Sequence, residues 1–143
     1  SCADLGIKSK QLSWLFCEDN PRDPAAAVSN LLDQSKAPSV IIASNNDMAL
    51  ALLKVAGNRK LVIGKDISLI TFDDSQWAAA MAPGLTVVAR PVEELGSLAI
   101  EKLVAEIKQP GQPAEKIVLP TELIARGSVA NLVMYPENDP ENY

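Results

Sequence analysis

Three short polar clusters hold the side chains with which this chain could do chemistry: Glu18-Asp19-Asn20, Ser44-Asn45-Asn46-Asp47 and Asp73-Asp74-Ser75. Each follows an apolar run that reads as a buried strand. Carboxylates there can hold Mg²⁺, take a phosphoryl group or accept from the hydroxyls of a ligand, and amides both donate and accept. Asn, Asp and Ser are equally the preferred helix N-caps. Each cluster precedes a helix or turn, so capping stands beside binding for every member.

Counting and spacing narrow the chemistry. A receiver-type phosphorylation site needs a third aspartate on a later strand, and residues 75 to 138 contain none. A DxD-type Mg²⁺ hydrolase needs aspartates at alternate positions, whereas Asp73 and Asp74 are adjacent and point to opposite faces of an extended chain. The chain has no histidine, which removes Ser-His and Cys-His nucleophile pairs and most zinc sites. No metal, cofactor or catalysis is expected. A carboxylate beside an amide from a neighbouring strand end is, in contrast, a good clamp for a polyol, whose hydroxyls both donate and accept. Trp77 could lie against the apolar face of a sugar ring or go into the core.

These groups must be positioned by strands and helices. Residues 12–17 (LSWLFC), 39–44 (SVIIAS), 67–72 (ISLITF) and 85–91 (LTVVARP) read as strands. Three of them are near-continuous apolar runs, as expected of parallel strands covered on both faces. Asp23 as N-cap and Pro24 at the first helical position start a helix whose inward residues are Ala27, Val28 and Leu31. Met48, Leu52, Val55 and Ala56 fall at helical spacing. SQWAAAM gives a short helix closed by Pro83-Gly84. Residues 92–108 form a helix with the stripe Val92, Leu95, Leu98, Ala99 and Leu103. EKIVLPTELIARGSV reads as strands, with Pro120 at an edge or bend. The alternation makes the class α/β. Ligands of such sheets bind outside the carboxyl ends of the strands, so all three polar clusters belong to one edge.

The 143 residues are 48% hydrophobic and 22% charged, suited to one compact domain with its own core. No apolar run approaches the ~20 residues of a membrane-spanning helix, and no membrane partner is expected. Net charge is −5 with Lys and Arg scattered, which leaves no electrostatic footprint for nucleic acid. Cys2 and Cys17 form neither a disulfide framework nor a CxxC site, and Cys17 reads as a small core residue. That usage fits a cytoplasmic protein. SCADLGIKSK lacks the apolar region of a signal peptide, and ADLGIKS reads as the end of a helix, so the chain is expected to begin within a domain. The segment 131–143 reads as a polar tail.

Four stretches carry a family resemblance. PSVIIASNNDMALALL resembles the strand, Asn-Asp and helix of lactose-repressor-type (LacI/GalR) regulators. GKDISLITFDDS resembles their "DISVVGFDD", LTVVARPVEELGSLAIEKL their "LTTVRQPxxELGxxA", and LPTELIARGSV their "LPTELVVRGSV". The resemblance implies a type I periplasmic-binding-protein-like fold, an αβα sandwich with a mostly parallel sheet. Residues 1–130 would be the C-terminal lobe of a two-lobed effector-binding domain. There are departures from the pattern: Asn46 replaces an aspartate, Gly64 a frequent proline, and Lys60 a turn glycine.

By motif position the resemblance implies Asp73 and Asn45 as effector contacts, with Asp19 or Asn20 contributed by the first strand end. Asp74 and Arg126 then read as structural. It implies a homodimer whose interface includes Met48, Leu52, Val55 and Met81, each equally readable as core. Function would be allosteric control of operator binding by a small molecule, a sugar or sugar derivative. Operator DNA would be met only through an N-terminal helix-turn-helix absent from this chain. The alternative is a solute-binding protein of the same fold serving a transporter or receptor.

Overall fold

The computed structural model describes residues 24–111 and 113–130. The expected strand at 12–17, Cys2 and Cys17, the cluster Glu18-Asp19-Asn20 and the tail 131–143 lie outside them. Eight elements follow in order: α1 (Pro24–Leu32), β1 (Val40–Ala43), α2 (Asn46–Asn58), β2 (Ser68–Phe72), α3 (Gln76–Ala80), β3 (Thr86–Ala89), α4 (Val92–Lys108) and β4 (Glu122–Ile124). The sheet runs β1-β2-β3-β4, parallel across the first three strands and antiparallel at β4. It is the mostly parallel α/β sheet expected from the alternation of apolar strands and amphipathic helices.

One face of this sheet is packed. Register pairs Ile41 with Leu69 and Ala43 with Thr71 with Val87, so these side chains share a face. They meet Val28 from α1 and Ala49, Leu52, Val55 and Ala56 from α2 in one apolar cluster. Leu52, Leu69, Leu85 and Val87 are essentially inaccessible. On the other face Val40, Ile42 and Leu123 are 42%, 64% and 63% exposed. Of the two helix layers of an αβα sandwich, the described residues supply one.

α4 departs from the sequence reading. Its boundaries are those expected, but none of its 17 residues is buried. Val92, Leu95, Ile100, Leu103 and Ile107 remain 52–70% exposed. Of the apolar stripe that defined the helix in the sequence, only Leu98 is half-buried among the described residues. Of the strands expected in EKIVLPTELIARGSV, only Glu122–Ile124 forms among the described residues, and Ile117 and Val118 are exposed.

Two of the departures from the family pattern, Lys60 and Gly64, fall at left-handed backbone positions. Lys60 has φ 58° and closes α2: Leu61 N–H donates to Ala56 O at 2.9 Å and Lys60 N–H to Gly57 O at 3.1 Å. That is a Schellman ending, whose left-handed residue is usually glycine. Gly64 has φ +80°, and a Cβ there would stand 2.1 Å from Gly127 O. Proline, with φ fixed near −65°, cannot occupy this conformation.

The segment after β4 locks the sheet. Ser128 is fully buried. Its hydroxyl accepts from Thr86 N–H at 2.8 Å and donates to Leu69 O at 2.6 Å. Leu69 N–H donates to Ser128 O at 2.9 Å, and Ser128 N–H to Gly84 O at 3.1 Å. A single serine thus takes up backbone groups of β2, β3 and the turn before β3 that would otherwise be buried unpaired.

Candidate effector site

β1 and β2 end side by side. Thr71, buried in β2, sends its hydroxyl to Ala43 O and Asn45 O, both at 3.4 Å. The second and third polar clusters thus follow the carboxyl ends of two adjacent parallel strands.

Asn45 is the N-cap of α2, and its Oδ1 accepts from Met48 N–H at 3.0 Å. The cap occupies the oxygen and leaves the amide nitrogen without a partner among the described residues. Capping and ligand contact are compatible in this residue. At the neighbouring position, Asn46 Oδ1 is buried without a hydrogen-bond partner among the described residues, as is Ser75 Oγ.

Asp73 sits one residue past β2 with φ 68°, a left-handed conformation that Asp tolerates better than most residues. Its N–H still continues the β2–β3 ladder, donating to Val88 O at 3.1 Å. The carboxylate is gripped by Arg90, whose Nε and Nη2 donate to Oδ1 and Oδ2 at 2.7 and 2.6 Å. These charge-assisted bonds hold the Asp73 carboxyl below its ordinary range, against a smaller opposing effect of burial.

Asp74 turns to a different partner. Arg126 donates from Nη1 to Oδ1 at 2.7 Å and from Nη2 to Oδ2 at 2.8 Å, and its Nη1 also reaches Leu85 O at 2.9 Å. The Asp74 carboxyl is likewise lowered by that guanidinium. Adjacent aspartates thus serve two separate ion pairs, one to the end of β3 and one to the segment after β4.

A cleft of about 550 Å³ opens at this edge, with Asp73, Asp74 and Ser75 on one wall and the stretch from Arg90 to Glu94 on the other. Among the described residues no group of three or more acidic or cysteine side chains could hold a metal ion. Trp77 is not in the cleft; it and Met81 are half-buried against the core cluster. Leu52 and Val55, expected at an interface, are 1% and 7% exposed and point into the core. The face of α2 turned outward carries Leu50 instead, 47% exposed. Met48 is half-buried beside the core.

Arg90 is the cleft residue that sequence reasoning missed. A signal was present: β3 is also a parallel strand, and Arg90 follows its carboxyl end just before Pro91. The rule that drew attention to the other strand ends applies equally to this one.

The periplasmic binding protein-like domain model matches residues 8–129. The chain belongs to that family, in its LacI/GalR branch of regulators. It is 40% identical over 109 residues to a probable opine utilization operon repressor of Rhizobium rhizogenes, covering 71% of this chain and 55% of that protein. With the ribose operon repressor of Escherichia coli K12 it shares 33% identity over 102 residues, covering 71% and 31%. A LacI-family regulator of Enterococcus faecium with bound ribose superposes with TM-score 0.79 at 26% identity, covering 92% of this chain and 48% of that one. The chain thus spans between about a third and a half of the length of these LacI/GalR relatives. The Escherichia coli relative is named as a repressor and the Rhizobium one as a probable repressor, and the family is non-enzymatic. Among the described residues no helix is long and apolar enough to cross a membrane.

Proposed function

We propose that this chain is the effector-binding lobe of a sugar-responsive, cytoplasmic LacI/GalR regulator, and that effector held at Asp73 and Asn45 changes the protein's affinity for operator DNA. One observation carries the reading. At the edge where parallel strands end, the oriented carboxylate of Asp73 lines an open cleft, and the capping amide of Asn45 follows the end of the neighbouring strand. Their donors and acceptors match hydroxyl groups. The ribose bound to the similar Enterococcus faecium regulator supports a sugar as the ligand class. The repressor names of the relatives favour regulation over transport.

Two further elements fit a two-lobed protein. The exposed stripe of α4, together with Ile117 and Val118, supplies apolar surface for a second lobe. Effector between the lobes shifts their equilibrium only by its differential affinity for the open and closed arrangements. A homodimer meets through the outward face of α2, with Leu50 and the half-buried Met48, and through Met81. Leu52 and Val55 support that face from inside.

The test is operator release by the complete protein, measured by fluorescence anisotropy across a panel of monosaccharides. Asp73→Asn keeps the shape but loses charge and half the acceptor capacity, and is expected to lose the response at effector concentrations that saturate the wild type. A D73N protein responding at wild-type concentrations would remove Asp73 from the site.

A further inference from the structure

We propose that Arg90 sets the charge selectivity of the effector site: paired with Asp73 it forms a dyad without net charge that takes uncharged polyhydroxy molecules and turns away acidic ones. The proposal rests on reading the cleft as the effector site.

The geometry leads to it in three steps. First, the guanidinium spends its Nε and Nη2 donors on the two oxygens of Asp73, and its remaining N–H groups are left to other partners. Each Asp73 oxygen keeps acceptor capacity beyond the bond it receives. The dyad therefore offers acceptors and donors together, which is what a hydroxyl, both donor and acceptor, can use. Second, the pair lies at the cleft surface, with Arg90 52% and Asp73 28% exposed. Both partners of the dyad thus remain within reach of a bound molecule.

Third, among the described residues the charges around the dyad leave no further cation for an acid. Asp74 lines the cleft but is already neutralised by Arg126 from the segment after β4. Glu93 and Glu94 on the first turn of α4 line the same cleft, and among the described residues no positive side chain other than Arg90 is on its wall. An acidic ligand would either draw Arg90 away from Asp73, leaving Asp73 unpaired, or take the N–H groups that Asp73 leaves and lie among the carboxylates of Asp73, Glu93 and Glu94. Either arrangement places like charges together. The family stretch LTTVRQP carries glutamine where this chain has Arg90. That residue could donate to a sugar but could not balance Asp73.

The experiment uses the complete protein, as wild type and as R90Q, R90K and D73N, with circular dichroism to establish folding. Each is titrated calorimetrically with a panel of aldoses and the uronic acid of each. The wild type is expected to bind an aldose at least about tenfold more tightly than its uronic acid, the scale of one charge-assisted hydrogen bond. R90Q is expected to weaken the aldose by about tenfold and to move the acid limb of its binding-versus-pH curve upward, because Asp73 loses its cation. R90K, which keeps the charge without the two-pronged geometry, is expected to restore the pH limb in part. A wild type that binds uronic acid as tightly as its aldose would overturn the proposal. So would an R90Q protein unchanged in affinity and pH profile while D73N loses binding. A D73N protein that binds normally, or a panel with no binder, would overturn the effector-site reading beneath it.

Discussion

Replacing Ser128 by alanine removes one oxygen from a fully buried position and strands two backbone groups at once. The hydroxyl accepts from Thr86 N–H and donates to Leu69 O, at the backs of two adjacent core strands. A buried group left without its partner costs about 1–3 kcal/mol. Two such groups, less some relaxation, give an expected loss of about 2–4 kcal/mol, a large part of the ~5–15 kcal/mol that holds a domain together. Urea denaturation of S128A should show a lower midpoint with an unchanged slope, since the surface exposed on unfolding is the same. Amide exchange should show the Thr86 N–H losing protection more than its strand neighbours. S128T, which restores the hydroxyl but adds a methyl at a fully buried position, separates hydrogen bonding from packing: protection at Thr86 returns even if stability does not. A loss in S128A below about 0.5 kcal/mol, within the range of ordinary surface changes, would refute the assignment of Ser128 as a strand-to-strand link.

Gly64→Ala places a Cβ 2.1 Å from Gly127 O at φ +80°; a loss of about 3 kcal/mol or more is expected from combined strain and overpacking, read as a shift in thermal midpoint. Lys60→Gly relieves a left-handed side chain at the end of α2 and should stabilise by about 0.5–1 kcal/mol, its flexibility in the unfolded chain offsetting part of the gain. Asp73 and Asp74 have carboxyls lowered by Arg90 and Arg126, so their pairs contribute fully above the unfolded carboxylate range. That contribution is lost as pH falls through the lowered folded values. Stability should therefore be insensitive to these pairs at neutral pH and fall in acid, with the acid limb of D74N shallower than that of the wild type.

The strands and helices were legible because each carries a period. β1, β2 and β3 are short apolar runs bounded by turn signals, and α2 and α4 repeat their apolar residues at helical spacing. The strand ends that carry Asp73 and Asn45 were legible because parallel strands must deliver their ends to one edge. What escaped is what periodicity cannot express. A stripe on α4 states that the helix wants an apolar partner, not that the partner lies in this lobe. Arg90 is a single residue before a proline, and its importance comes from a hydrogen bond across 17 positions. Leu52 and Val55 share one helix with Leu50, and only the packing against the sheet decides which of them faces out. Trp77 lies half-buried against the core cluster, and only the packing decides that.

The bonds made by Arg126 and Ser128 also set an order on the life of the chain. During synthesis β2 and β3 leave the ribosome well before these residues do. Until Arg126 and Ser128 emerge, Asp74 has no counter-ion, and Thr86 N–H and Leu69 O have no serine between them. The lobe is therefore completed from its far end, like a box closed by its last flap. A truncation before Arg126 would remove few apolar contacts yet leave the centre of the sheet open, and such a product should be cleared by proteases where a chain ending just after Ser128 is retained.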